Sequence, residues 1–205
     1  CRGDFDSHPP VYDRADKIGP MDLVIIGLKN TQNDALPELL APVTGPDTLI
    51  LTLQNGLGNE EAVQSALEQS GHSGDLRSRI IGGVAFICSN RTEPGVICHS
   101  AHGWIRLAEF AGQPTIRTEA ITEMFRKAGV PCETDESLVA IRWQKLVWNV
   151  PYNGMGVAAG HADTLAVMTD DELNPLARAL MEEVVSAARA DGVSIAPELI
   201  EQMLD

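Results

Sequence analysis

Thr48-Leu49-Ile50-Leu51-Thr52-Leu53 is a mostly apolar run of strand length that ends at the turn Gln54-Asn55-Gly56. A run without polar alternation suits a strand buried on both faces, as in a parallel sheet. Upstream, Leu23-Val24-Ile25-Ile26, bounded by Asp22 and Gly27, has the same character. Between the two, Asp34 to Leu40 is helix-like, and Asn59 is placed to cap a helix carrying Glu60, Glu61, Val63, Ala66 and Leu67. Strand, helix, strand, helix implies an α/β layer with right-handed crossovers. Downstream, Ile80 to Cys88, the Pro94-Gly95 turn, Val96 to His99 and Trp104 to Leu107 read as antiparallel strands that close the sheet. Ile116 to Ala128 is an amphipathic helix ended by Gly129, with a short strand at Val130 to Glu133. From Ser137 the pattern is helical throughout: Ser137 to Val150, Asp170 to Ala190 stopped by Asp191-Gly192, and Pro197 to Leu204. The expected division is therefore an α/β domain over residues 1–136 and a helical domain over 137–205.

The chain has 205 residues and is 44% hydrophobic, enough for a substantial core, and its 21% charged residues argue against wholesale disorder. The formal net charge of −14 opposes nucleic acid and acidic membranes as partners. An anionic small molecule stays possible, because a local cation decides a site. Cys1, Cys88, Cys98 and Cys132 form no CxxC pair and no zinc-ligand spacing, so they read as idle thiols in a reducing compartment, and no metal is expected. No apolar run reaches membrane-spanning length, and no signal peptide is visible.

Chemistry concentrates in Ile141-Arg142-Trp143-Gln144-Lys145-Leu146-Val147-Trp148-Asn149-Val150. Trp143, Leu146, Val147 and Val150 share one helical face at i, i+3, i+4, i+7. Lys145 and Asn149 share another, and Asn153 continues that polar line beyond Pro151, which should bend the helix. Reduction of a keto acid needs a positioned cation or acid where negative charge grows on oxygen, and a partly buried lysine serves both purposes. A Lys/Asn face that simply points to water is the commoner reading of such residues on sequence alone. Asn55 and Lys29 end predicted parallel strands, where open α/β sheets bind ligands, although Asn-Gly is also an ordinary turn. Gly154-Met155-Gly156-Val157-Ala158-Ala159-Gly160 imitates a dinucleotide loop but follows no strand, and Gly56-Leu57-Gly58 lacks a third glycine. His99 and His102 receive no role, and no Gly-x-Ser-x-Gly elbow is present.

Asp22 to Lys29, Leu53-Gln54-Asn55-Gly56-Leu57-Gly58, Pro94 to His99, Trp143-Gln144-Lys145-Leu146 with Asn149 and Asn153, and Met181 to Val193 resemble, in order and spacing, the successive signatures of ketopantoate reductases. The resemblance runs from about residue 20 to the end. It implies a partial Rossmann-type NADP-binding domain followed by an all-helical domain like the C-terminal one of 6-phosphogluconate dehydrogenase, with the active site between them. It implies NADPH-dependent reduction of 2-dehydropantoate to pantoate, in pantothenate and coenzyme A synthesis, by a cytoplasmic enzyme acting on a small 2-keto acid and able to form a homodimer. On this resemblance Lys145 is the general acid, Asn149 and Asn153 hold substrate, Asn55 touches substrate and nicotinamide, and Lys29 and Asn90 lie on the cofactor side. A further family asparagine falls at Asp163, where this sequence departs from the pattern. The family's opening strand and Gly-x-Gly-x-x-Gly loop, and a C-terminal stretch with a serine and an acidic residue, have no counterpart in these residues. The expectation is a chain truncated at both ends that cannot by itself bind NADPH normally. The rival expectations are another 2-keto acid on the same fold, or a non-enzymatic dimerising module.

Overall fold

The computed structural model describes residues 5–160 and 163–204; the expectation for Cys1 lies outside them. Five strands form one sheet in the order of the chain: β1 (Leu23–Ile26), β2 (Leu49–Thr52), β3 (Ile80–Glu93), β4 (Val96–Glu109) and β5 (Cys132–Thr134). β1, β2 and β3 are parallel, β3 and β4 form an antiparallel hairpin, and β5 runs parallel to β4. The hairpin reverses at Pro94-Gly95, where Gly95 has φ +81°, a conformation that favours glycine.

Alternation along the central strands sorts the core. Ile50 and Ile80 face α1 (Leu36–Leu40) and α2 (Asn59–Gln69), together with Leu36, Leu40, Val63 and Leu67. Leu51 and Ile81 face the other way, toward Ile121 of α3 (Ile116–Lys127) and Leu107 and Cys132. The mostly apolar run of β2 thus has a helix layer on each side. β1 departs from the same expectation. Ile26 is buried, but Ile25 is 45% exposed, because β1 is an edge strand and no described element lies over that side chain.

The rest is helical. α4 (Leu138–Asn149) starts at Ser137, whose hydroxyl accepts the Ala140 N–H. It passes into a π-helical turn, Val150–Met155, and then the short α5 (Gly156–Ala158). Pro151 lacks the N–H an α-helix would use there, and the wider turn accommodates it. α6 (Thr164–Thr169), α7 (Leu173–Ala190) and α8 (Glu198–Leu204) complete a second core around Val147, Tyr152, Val167, Met181 and Val184. The long helix begins later than its pattern predicts: Glu172 is its N-cap, and the Asp170 carboxylate accepts the N–H groups of Glu172 and Leu173 in the turn before it. Val150, expected on the apolar face, is 38% exposed, although its N–H still donates to the Leu146 carbonyl at α-helical spacing.

α4 is gripped from two sides. Val147 enters the helical core, with Trp143 and Leu146 packed beside it. Ile141 and Leu138 pack on Val84, Phe86 and Ala108 of the sheet. The approach is close enough that a Cβ at Gly82 would overlap Leu138 Cδ1 and Glu60 Oε1. Gly82→Ala should therefore destabilise the protein by about 1–3 kcal/mol, the usual range for overpacking. The check is the urea unfolding midpoint, which should fall; an unchanged midpoint would mean that α4 is free to move off the sheet.

Candidate active site

The turn after β2 is built by side chains rather than by backbone pairing. Gly56 (φ +95°) and Gly58 (φ +81°) both take the left-handed region. Gly58, not Asn59, occupies the N-cap of α2. The buried Asn59 side chain is turned back instead, and its amide donates to the carbonyls of Asn55 (3.0 Å) and Gly56 (3.4 Å). Behind it runs a chain of polar contacts. Thr52 Oγ1 donates to Gln54 Oε1 at 3.0 Å, Gln54 Nε2 to Asn33 Oδ1 at 2.8 Å, and Asn33 Nδ2 to Asn59 Oδ1 at 3.4 Å. Asn55 itself is exposed on this fixed turn. Asn30, next to Lys29, lies against Gly56, where an added Cβ would sit 3.3 Å from Asn30 Nδ2. Lys29 and Asn55 therefore share the edge formed by the carboxyl ends of β1 and β2, and Lys29 is exposed there.

α4 meets this edge through Arg142. One guanidinium nitrogen donates to the carbonyl of Gln54, and another bonds the carboxylate of Glu60. Both side chains are about 95% buried. Three residues on, Lys145 points at the same side, with its Nζ 4.2 Å from the centroid of the Phe86 ring. Phe86 is stacked on Trp104 at 3.8 Å, and Arg106 lies over the far ring at 5.5 Å while donating to Gln144 Oε1 at 2.9 Å. Burial pushes the Lys145 amine below the ordinary lysine value, and the nearby Cys88 acts in the opposite direction. The result is a half-buried ammonium on an aromatic floor, one helical turn from a residue bonded to the Asn55 turn.

Asn149 lies one turn beyond Lys145 and is half-buried. Asn153 is exposed on the π turn, so it does not follow Asn149 at α-helical phase. Asn90 lies on β3 four residues beyond Phe86, about 13 Å along a strand, on the part of the hairpin that extends past β2. There it faces Cys98 on the projecting hairpin. Asp163 is occupied as the cap of α6, accepting the Ala166 N–H at 2.8 Å. His102, at φ +61°, sits beside a register shift of the hairpin, and His99 Nε2 lies 3.0 Å from the Ala101 carbonyl oxygen. The Gly154 to Gly160 run lies among the helices, away from any strand end. A cavity of about 400 Å³ opens beside Glu60 and Arg142, but neither Lys145 nor Asn55 lines it.

Sequence reasoning missed Glu60, Gln54 and Arg142. A signal was present: Leu138, Ile141, Arg142 and Lys145 also repeat at i, i+3, i+4, i+7, marking a second buried face of α4.

The family described as ketopantoate reductase PanE/ApbA matches residues 1–112, and its C-terminal counterpart matches residues 137–205. A 2-dehydropantoate 2-reductase from Nostoc sp. is 40% identical over 210 residues, covering 99% of this chain and 63% of that protein. The crystal structure of 2-dehydropantoate 2-reductase from Geobacter metallireducens superposes with a TM-score of 0.85 at 45% identity, over 94% of this chain and 62% of that one. A D-mandelate dehydrogenase solved with NADH and anilino(oxo)acetate shares the fold at 17% identity and a TM-score of 0.77, over 92% of this chain and 58% of that one. The chain thus spans about three fifths of the length of these relatives.

The lowered value of Lys145 has a consequence for stability. Below its lowered folded value the amine is charged both folded and unfolded, and only the folded state bears the desolvation. That cost disappears as pH rises from the lowered folded value to the unfolded 10.5. Lys145→Met should therefore be more stable than the parent protein at pH below the lowered folded value, with the gain vanishing toward pH 10.5. Urea unfolding at stepped pH measures this; a gain independent of pH would mean that Lys145 titrates normally.

Proposed function

We propose, from the premise that this chain belongs to the ketopantoate reductase family, that the protein is an NADPH-dependent reductase of 2-dehydropantoate. The observation that carries this reading is the half-buried Lys145 ammonium, one helical turn from the residue that binds the backbone beside Asn55. Residues 1–136 would serve the dinucleotide and 137–205 the substrate, with α4 as the element common to both. The exposed strand-end edge with Asn55 and Lys29 fits the nicotinamide end of such a cofactor, an uncharged amide beside a ring. A glycine loop to cradle the pyrophosphate is not in this sequence, so no phosphate contact is assigned to these residues.

NADPH, when bound, supplies the hydride. As negative charge grows on the C2 oxygen of the 2-keto acid, Lys145 gives up its proton to that oxygen, leaving the 2-hydroxy acid. Low surrounding polarity strengthens the attraction between ammonium and developing alkoxide, and it also lowers the amine's pKa toward that of an effective donor. Asn149 and Asn153 hydrogen-bond the substrate without adding charge, and Asn55 orients it toward the ring. Asn90 enters only as a cofactor-side contact from the hairpin. The exposed Val157, Leu165 and Leu176 of the helical part give a homodimer an apolar surface to form on. A cytoplasmic location accords with the free thiols of Cys88, Cys98 and Cys132. Among the described residues no helix is long and apolar enough to cross a membrane.

The test is NADPH oxidation by the intact protein with 2-dehydropantoate. Lys145→Ala should lower kcat by about 10²–10⁴-fold, the usual worth of a general acid. Lys29→Ala should act mainly on the KM for NADPH. In the parent protein kcat should fall as pH rises through the lowered Lys145 value, because the protonated amine is the reactive form. Equal losses in the two variants would refute the roles. Turnover of another 2-keto acid but not of 2-dehydropantoate would change the substrate.

A further inference from the structure

Arg142 makes two bonds that tie α4 to the end of β2 and the start of α2, and both are buried. Its acceptors are the Gln54 carbonyl, one peptide from Asn55, and Glu60, in the first turn of α2. Its own Cα lies one helical turn from that of Lys145. The path from Asn55 to Lys145 is therefore covalent except for a single non-covalent link. We infer that Arg142 is a positioning residue: by holding the Gln54 carbonyl and the Glu60 carboxylate together, it sets the spacing between Asn55 and Lys145. This rests on the proposed function, in which those two groups flank the 2-keto acid.

Three observations support positioning over mere adhesion. First, the pair is almost wholly desolvated, a setting in which apolar residues of similar size often stabilise a fold as well or better. Second, the surrounding faces already supply apolar adhesion, through Ile141 and Leu138 on Val84, Phe86 and Ala108. Apolar contacts have no preferred direction, whereas the planar guanidinium fixes two acceptors at set angles. Third, the Gln54 side chain is already held by Thr52 and Asn33, and Asn59 closes the turn from below. Arg142 supplies the remaining restraint, the one directed toward α4. Glu60 is in turn held near the N-terminal end of α2, where the helix dipole favours a carboxylate.

The test compares the intact protein with two variants. Arg142→Leu/Glu60→Leu removes both charges and leaves an apolar contact. Arg142→Lys keeps the charge and loses the fork, and it remains informative should the double variant fold poorly. Unfolding temperature, kcat and KM for 2-dehydropantoate, and hydrogen exchange of the segment 54–58 are read for each. The expected result is a folded protein with kcat reduced about 10–100-fold, the scale of a small misplacement of reacting groups, with KM moved much less and exchange in 54–58 accelerated. A variant that folds with kcat and exchange both at parental values would overturn the inference and leave the pair a stabilising contact only. Should the parent protein reduce no 2-keto acid, the proposed function falls. The exchange data then decide the positioning alone: faster exchange at 54–58 upholds it and unchanged exchange rejects it.

Discussion

The buried bond system of Arg142 with Glu60 and the Gln54 carbonyl is the constraint on which the rest of the structure depends. A sheet layer and a helical layer each complete a core of their own, and hydrophobic contact alone would let one slide over the other. Charged groups taken out of water do not tolerate such sliding, because losing a partner leaves a buried charge unpaired. Its consequences spread outward: Gly82 must lack a side chain to admit Leu138 and Glu60, and Phe86 can lie beneath Lys145. The edge of the sheet and the chemistry-bearing face of the helix become parts of one rigid frame.

Much of this was legible in the sequence, and the boundary of legibility has a physical meaning. The strands were readable because burial on both faces leaves β2 mostly apolar, with Leu49, Ile50 and Leu51 in succession, and turn residues stop it at Asn55-Gly56. Lys145 stood out on a helix as one polar position in a stripe. The Arg142–Glu60 pair did not, since the two residues are 82 apart, and the local repeat that carries Arg142 names no partner for it. Half of α4 was also misjudged. The apolar face toward the helical core was recognised, while the face toward the sheet was masked by its two cations, which look solvated until the sheet covers them. Asn90 lies where β3 outruns β2, and order along a strand says nothing about how far a hairpin projects past its neighbours.

The aromatic floor deserves the same reading as the ion pair, because it places a cation in low polarity without neutralising it. A carboxylate at the position of Phe86 would hold Lys145 charged and compete with any anionic ligand. A ring face attracts the ammonium weakly and leaves its N–H groups to others. Of the two cations at the Phe86–Trp104 stack, Arg106 is paired with Asp135 at 3.7 Å, whereas Lys145 sits over the Phe86 ring as a local positive charge in an otherwise acidic protein.

The π-helical turn over Val150–Met155 bears on how this lineage should be aligned. A π turn closes i→i+5 hydrogen bonds where an α turn closes i→i+4, so it takes more residues per turn. Beyond Asn149 the azimuth of each side chain is therefore set by the wider turn and not by the α-helical step. In a relative whose helix stays α-helical there, an asparagine four places after Asn149's equivalent would point elsewhere. Matching letters across 150–155 thus equates directions only where the helix type is also the same.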